Sequence, residues 1–179
     1  GIIKKLSYIK DLGCTAIWMN PIFDSDFLDA GYDVKDFYKI APRYGTEEDL
    51  VLLCKSAHDM GLKVILDLVA GHTSDKCPWF LESAKAEQNA YSDRYIWTRN
   101  QPEEYHNFKE NIVGRPGYFM YNYYDIQPAL NYGFAEVTEP WQLSVDHPAA
   151  IENQNELIRI IDYWFKRGVD GFRVDMANS

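Results

Sequence analysis

The chain alternates between segments with apolar residues at helical spacing and short segments that are apolar almost throughout. The first helical segment covers residues 2–12 and is followed by Gly13, a residue type common just beyond a helix C-terminus. The apolar run at 15–20 comes next and predicts a buried strand, which Pro21 ends.

The same pattern of helix, glycine and strand occurs again from Thr46. Thr46 is a favourable N-cap, and Asp49 stands three residues later in the position of a capping box. The helical spacing runs to Gly61, and the apolar run at 63–68 predicts the second strand.

A third unit begins near Pro148, ends at Gly168 and leads into a strand at 171–175. Apolar strands that alternate with helices predict a parallel sheet covered on both faces, and therefore an α/β fold. In such sheets the chemistry lies beyond the carboxyl ends of the strands. The polar residues there are Asn20, the group from Asp67 to His72, and Arg173 with Asp175.

The spacing of the three units is uneven, because the stretch at 73–147 is far longer than the usual connection of about 2–6 residues. It is rich in Tyr, Trp, Asn and Pro and lacks long helical periodicity. We interpret it as an irregular subdomain, here called the middle segment, between framework segments at 1–72 and 148–179.

Composition narrows the classes of function. The net charge of −9 argues against a nucleic-acid partner, and no apolar run approaches the length of a membrane span. The three cysteines fit neither a disulfide framework nor a zinc site, which favours a reducing, cytoplasmic location. The N-terminus lacks a methionine and reads as an internal start.

Four blocks carry a resemblance to a known family: "GCTAIWMNPIF", "DAGYDVKDFYKIAPRYGTEEDL", "GLKVILDLVAGHTSD" and "GVDGFRVDMA". In this order they resemble the conserved segments of glycoside hydrolase family 13, the α-amylase family. Within it the chain is most similar to the group of oligo-1,6-glucosidases, α-glucosidases and trehalose synthases.

The resemblance implies a (β/α)₈ TIM barrel with an irregular domain inserted after the third strand. Such a barrel needs about 250 residues, so this chain would hold strands two to four only. The family's general-acid glutamate, on the fifth strand, would lie beyond Ser179. The chain is thus expected to be a catalytic-domain fragment that carries the nucleophile without the acid.

Asp175 corresponds in the resemblance to the nucleophile of a retaining mechanism, in which an ionised carboxylate attacks the anomeric carbon. Arg173 projects to the same side of the strand and favours the ionised form. Position alone also allows Asp175 to cap the next helix or to form a structural ion pair with Arg173.

The resemblance implies that Arg173 is a substrate-binding residue, and three further residues are implied in sugar binding. His72 corresponds to a histidine that contacts the sugar in the first subsite, Asp29 to an aspartate that bonds the terminal glucose, and Tyr32 to a tyrosine that stacks beneath it. From the residues alone Asp29 is a loop residue and Tyr32 equally a core residue. Asp67 is implied to be a buried supporting residue.

The chain departs from the family pattern at two positions. Gly71 stands where relatives usually have Asn, a residue that in many of them helps to organise the loop or a calcium site. The resemblance therefore allows calcium in the full-length protein, but this sequence does not support it. No other metal or cofactor is implied. Ala129 stands where relatives have Asp. The aromatic residues of the middle segment fit either a sugar platform or a small core (Tyr118, Tyr121, Tyr123, Tyr124, Trp141).

The expected function is that of a retaining glycosidase or transglycosidase acting on an α-linked glucose oligosaccharide or disaccharide. The alternative is a segment of a non-catalytic relative, such as the heavy chains of amino-acid transporters. The fragment alone is expected to be inactive because it lacks the acid.

Overall fold

The computed structural model describes residues 1–177, so that positions 178 and 179 of the predicted third segment lie outside the described residues. A 3₁₀ turn at Ile2–Lys5 leads directly into the first helix. The helices are α1 Leu6–Asp11, α2 Glu47–Asp59, α3 Pro78–Ser83 and α4 Pro148–Phe165. The strands are β1 Ala16–Trp18, β2 Phe23–Ser25, β3 Val34–Ile40, β4 Lys63–Val69, β5 Trp97–Thr98, β6 Phe108–Asn111, β7 Gly117–Met120 and β8 Gly171–Asp175.

A parallel sheet with the order β1-β4-β8 forms the framework of the molecule. Ala16 lies opposite Lys63, and along the other edge of β4 the pairing runs from Ile65 with Gly171 to Val69 with Asp175. The three predicted strands are therefore confirmed in position, direction and order.

The predicted boundaries of α2 are also confirmed. The amide of Asp49 donates to Thr46 Oγ1 at 3.3 Å, and the amide of Thr46 donates to Asp49 Oδ2 at 2.9 Å, which completes the capping box. Gly61 adopts φ +69°, a backbone conformation that ends the helix and that other residues adopt only with strain.

A hairpin of β2 and β3 packs against α4, and the sequence pattern does not predict it. Its central contact is Trp164, fully buried, whose indole N–H donates to the carbonyl of Phe37 at 2.8 Å. The ring of Phe23 lies 5.5 Å from that of Trp164 and 5.9 Å from that of Phe37. The hairpin thus extends the apolar core beyond the parallel sheet.

The middle segment contains an antiparallel sheet with the order β5-β7-β6 and a separate aromatic cluster. The expectation of irregular structure is therefore only partly correct. In the cluster, the ring of Phe80 stacks on Trp97 at 5.8 Å and meets Phe119 edge-on at 4.9 Å. These large rings give a short stretch of chain enough apolar area to form its own core.

Buried polar contacts join the middle segment to α4. Arg94 Nε donates to Asn153 Oδ1 at 2.7 Å, and Asn153 Nδ2 donates to the carbonyls of Arg94 and Asn131, both at 2.8 Å.

Within residues 1–177, no helix combines the length and the apolar character needed to cross a membrane.

Candidate active site

The carboxyl ends of β4 and β8 bring two carboxylates to one guanidinium group. Asp67 and Arg173 are register partners on the two strands, and Arg173 Nη1 lies 3.2 Å from each carboxylate oxygen of Asp67. The same nitrogen donates to Asp175 Oδ1 at 2.6 Å. Arg173 and Asp175 are two residues apart on one strand, so their side chains lie on the same side of the sheet.

Asp67 is 1% exposed and has the supporting position that the resemblance implies. Burial raises the pKa of its carboxyl group above the ordinary value, while the hydrogen bonds from Tyr32 and Arg173 oppose this rise. The adjacent carboxylates in turn raise the pKa of Arg173, with the hydrogen bond to Asp67 as the largest cause. Arg173 is consequently held as a cation between the two acids.

Tyr32 joins this cluster from the loop between β2 and β3. Its hydroxyl donates to Asp67 Oδ2 at 3.0 Å and lies 3.5 Å from Arg173 Nη1. Burial, together with the hydrogen bond to Asp67, raises the pKa of Tyr32 to about 12. The phenol therefore stays protonated at neutral pH. Its side chain is half-buried. This degree of burial does not decide between the two roles that the sequence allows, a core residue or a ring that stacks beneath the sugar.

His72 follows β4 and is 1% exposed. Its Nε2 lies 3.2 Å from the carbonyl oxygen of Tyr32, and because a carbonyl only accepts, this nitrogen carries the proton. Its Nδ1 is buried without a hydrogen-bond partner in the described part of the chain. Burial lowers the pKa of His72, and the negative charges of Asp175 and Asp29 partly oppose that shift.

Asp29 lies on the same loop as Tyr32, and its backbone is held by Asp33. The buried Asp33 carboxylate accepts the amides of Leu28 at 3.2 Å and of Asp29 at 3.1 Å. The side chain of Asp29 turns to the middle segment, where Gln127 Nε2 donates to its Oδ2 at 2.7 Å.

The structure joins Tyr32, Arg173 and Asp175 by side-chain contacts and His72 by its bond to the Tyr32 backbone. Asp29 is linked through its backbone carbonyl, which accepts the amide of Tyr32 at 2.8 Å. The ion pair that the sequence offers as the structural role of Asp175 is thus present, and by itself it does not exclude a catalytic role.

Sequence reasoning missed Gln127 and Asp33 as members of this site. Gln127 lies two residues before the departure noted at Ala129, so the stretch "QPALN" around that position was the available signal. Asp33 lies directly beside Tyr32 in the "DAGYD" block. Both act on Asp29 through hydrogen bonds that sequence spacing alone does not reveal.

The two departures from the family pattern lie next to His72. The carbonyl of Gly71 accepts Asn122 Nδ2 at 2.7 Å, and Ala129, which is buried, forms an antiparallel bridge with His72. Across residues 1–177, no three His, Cys, Asp or Glu side chains are grouped so as to hold a metal ion.

A cleft of about 830 Å³ lies elsewhere, within the middle segment. Trp97, Arg115 and Trp141 are among its lining residues, together with Asn100 and Gln101. The face of Trp97 is covered by the guanidinium of Arg115 at 4.7 Å. Of the residues that the sequence suggests for sugar contact, the lining includes Trp141 but none of the cluster at the strand ends, so this cleft is separate from that cluster.

Comparison with known proteins finds similarity to the α-amylase family along the whole chain. The family model described as alpha amylase, catalytic domain, matches residues 1–179. The chain is 40% identical over 179 residues to alpha-amylase 3 of Dictyoglomus thermophilum, covering 99% of this chain and 32% of that protein. It is 36% identical over 186 residues to the trehalose synthase/amylase of Mycobacterium tuberculosis (strain H37Rv), covering 98% and 28%.

A crystal structure of trehalose-6-phosphate hydrolase from Bacillus licheniformis superimposes with a TM-score of 0.78 at 35% identity, covering 97% of this chain and 30% of that one. The chain therefore spans about a third of the length of the curated relatives it matches. The family match and the similarity of sequence and structure agree over the same residues. The chain belongs to the α-amylase catalytic-domain family, glycoside hydrolase family 13.

Proposed function

We propose that this chain is part of a longer α-glucan-active retaining glycosidase or transglycosidase. In this proposal β1, β4 and β8 are strands two to four of a (β/α)₈ barrel, and the middle segment is a domain inserted after the third strand. The observation that carries the proposal is the Arg173–Asp175 pair at the end of β8, where Arg173 bonds Asp67 of the neighbouring strand β4 and contacts Tyr32 from the loop between β2 and β3.

Asp175 is the nucleophile of the proposed mechanism. One carboxylate oxygen forms a bond to the anomeric carbon while the bond from that carbon to the glycosidic oxygen breaks, and the departing oxygen takes a proton from a general acid. Water or a sugar hydroxyl then attacks the anomeric carbon, loses its proton to the former acid, now acting as a base, and displaces the Asp175 carboxylate, which restores the α configuration. We assign the general acid to the longer protein and to none of the described residues.

Arg173 positions the nucleophile and provides positive charge beside it. Its guanidinium bonds Asp175 at 2.6 Å and is itself held by the buried Asp67. A planar cation already held by a buried carboxylate loses little freedom when it bonds a second one, so Asp175 is held in position for attack.

Sugar binding is assigned to Asp29, Tyr32 and His72. A tyrosine ring packs against the C–H face of a sugar, and carboxylate and imidazole groups bond its hydroxyls. The proposed substrate is an α-linked glucose oligosaccharide or disaccharide. The names of the relatives support this class, because they are an amylase, a trehalose synthase/amylase and a trehalose-6-phosphate hydrolase.

Replacement of the nucleophile in the longer protein that contains this chain tests the proposal. Asp175→Asn is nearly isosteric, so the variant is expected to fold and to lose turnover of an α-glucoside by several orders of magnitude. Asp162→Asn is the matched control, because Asp162 is 57% exposed on α4 and pairs only with Lys166 among the described side chains. We expect it to retain activity.

A 5-fluoro glucosyl fluoride identifies the reacting carboxylate directly, since it traps the glucosyl ester. Peptide mapping is expected to place the label on the peptide "GFRVDMANS". Label on a different carboxylate, or near-normal turnover by the Asn variant, would leave Asp175 as a structural partner of Arg173 only.

A further inference from the structure

Gln127 of the middle segment is bonded on both sides of its amide group. Its Oε1 accepts the backbone amide of Tyr124 at 2.9 Å, and its Nε2 donates to Asp29 Oδ2 at 2.7 Å. The side chain is fully buried. Because a backbone N–H can only donate, the oxygen of the Gln127 amide is fixed towards Tyr124 and the nitrogen towards Asp29.

The turn that carries Gln127 is itself held against the site. The amide of Gln127 donates to the carbonyl of Tyr124 at 2.9 Å, and its carbonyl accepts the amide of Asn122 at 3.1 Å. Asn122 Nδ2 donates to the carbonyl of Gly71, next to His72. The turn is therefore attached at one end beside His72 and at the other beside Asp29, which limits its movement relative to both.

Asp29 has separate supports for its backbone and its carboxylate. Asp33 accepts the Asp29 amide, whereas Gln127 takes one carboxylate oxygen, Oδ2. Within the part of the chain that the structure describes, no protein group donates a hydrogen bond to Oδ1. A carboxylate held at one oxygen presents the other in a fixed direction.

We infer that Gln127 is a positioning residue that orients the Asp29 carboxylate so that Oδ1 receives a hydroxyl of the bound sugar. The inference rests on the proposed function, which assigns Asp29 to the sugar. Gln127 lies 98 residues from Asp29 in sequence and belongs to the middle segment. Through this contact the middle segment contributes to substrate affinity.

Glutamine suits this role better than its closest substitutes. Alanine removes the donor and frees the Asp29 side chain to rotate. Glutamate puts a carboxylate against a carboxylate, and the two charges repel. Methionine keeps the volume but removes both hydrogen bonds, so it separates the loss of orientation from the loss of packing.

The test uses the longer protein that contains this chain and a double-mutant cycle. Gln127→Ala is expected to raise the KM for an α-glucoside on the order of tenfold while kcat changes little, because the Asp29 carboxylate loses the hydrogen bond that orients it towards the sugar. Asp29→Ala is expected to raise the KM at least as much. The double variant is expected to equal Asp29→Ala, because Gln127 acts only through Asp29.

Gln142→Ala is the matched control. Gln142 is a second buried glutamine of the middle segment, and its Oε1 accepts the amides of Thr138 at 2.7 Å and Glu139 at 3.1 Å, away from Asp29. Its replacement is expected to lower the melting temperature and leave the KM unchanged. Should Gln127→Ala fail to fold, Gln127→Met takes its place in the cycle.

Two results would overturn the inference, and they are distinguishable from failure of the proposed function. If the effects of Gln127→Ala and Asp29→Ala on the KM are additive, Gln127 does not act through Asp29. If Asp29→Ala leaves the KM unchanged, both the inference and the assignment of Asp29 to the sugar are wrong. The covalent labelling of Asp175 stands independently of either result.

Discussion

Arg173 is the residue on which the candidate site depends. Burying the carboxylate of Asp67 is unfavourable unless a cation and hydrogen-bond donors compensate for the lost water. Arg173 and the Tyr32 hydroxyl supply that compensation, and the same guanidinium then reaches Asp175. One side chain thus stabilises the buried carboxylate and positions the proposed nucleophile, so a replacement of Arg173 affects both.

The burial of His72 can be tested by measuring the pKa of its imidazole group. Burial lowers its pKa below the ordinary 6.5, and its buried Nδ1 has no described partner that would stabilise the imidazolium. The histidine is therefore neutral in the folded protein at pH 7. Its neutral form contributes stability that is fully present above pH 6.5, the unfolded value, and is lost as the pH falls through the folded pKa.

We predict that the imidazole of His72 titrates with a midpoint lower than that of a histidine in an unfolded peptide of the same local sequence. The measurement is NMR of the protein with isotope-labelled histidine, and a His72→Gln variant assigns the signal. A midpoint at or above the peptide value would mean that nearby carboxylates such as Asp175 outweigh burial.

At the scale of elements, the loop between β2 and β3 determines where two of the proposed sugar-binding residues lie. Phe27, Ala30 and Gly31 all have positive φ, at +59°, +50° and +104°. A non-glycine residue in this region costs about 1–2 kcal/mol, so the loop stores strain that its hydrogen bonds to Asp33 offset.

We predict that Gly31→Ala weakens substrate binding as well as stability. A Cβ at this position would lie 2.7 Å from the carbonyl oxygen of Pro21, so the loop carrying Asp29 and Tyr32 has to move. The measurements are the KM, which is expected to increase, and the free energy of unfolding, which is expected to decrease.

Gly13→Ala is the control for backbone strain. Gly13 also has positive φ, at +84°, but a Cβ there meets no atom within 4 Å. We expect a loss of stability of about 1–2 kcal/mol with an unchanged KM. If the two variants behave alike, the close approach to Pro21 has no consequence for the site.

The parts of the fold that could be predicted are those in which local pattern and tertiary environment agree. The helix, glycine and strand units satisfy both, and so β1, β4 and β8 are correct. β3 is different, because its buried residues Val34, Phe37 and Ile40 are three apart, a spacing that register irregularities in the hairpin produce. Alternation at every second residue is absent, and the strand is invisible to periodicity.

The same reasoning explains the outcome at the site. Arg173, Asp175 and His72 stand at strand ends, where topology alone brings residues together. Asp29 and Gln127 meet through two loops, and no periodic pattern specifies how loops approach one another. The family resemblance identifies Asp29 as a site residue, whereas Gln127 is recognised only from the folded structure.

At the scale of the whole molecule, large apolar side chains are exposed on the two outer strands of the parallel sheet and on α4. Trp18 on β1 is 53% exposed and Val174 on β8 is 45% exposed, while Ile158 and Phe165 are exposed on α4. In the described part of the chain the outer edges of β1 and β8 have no partner strand. Unpaired edges with apolar neighbours favour association between molecules.

We predict that the purified 179-residue chain has no measurable glycosidase activity and low solubility. Protonation of the leaving group commonly contributes about 10²–10⁴ in rate, and we assign that acid to the longer protein. The measurement is turnover of p-nitrophenyl α-glucoside. Turnover that Asp175→Ala abolishes would show that the described residues are sufficient for the chemistry.

The separation of β4 from β8 along the chain has a consequence for how the protein folds. The two strands are hydrogen-bonded neighbours, yet about 100 residues separate Val69 from Gly171. Pairing them directly closes a long loop, which has a high entropic cost and makes such contacts slow to form. We expect a middle segment that condenses early around its own aromatic cluster to shorten that loop, because the bonds between Arg94 and Asn153 tie α4 to the middle segment.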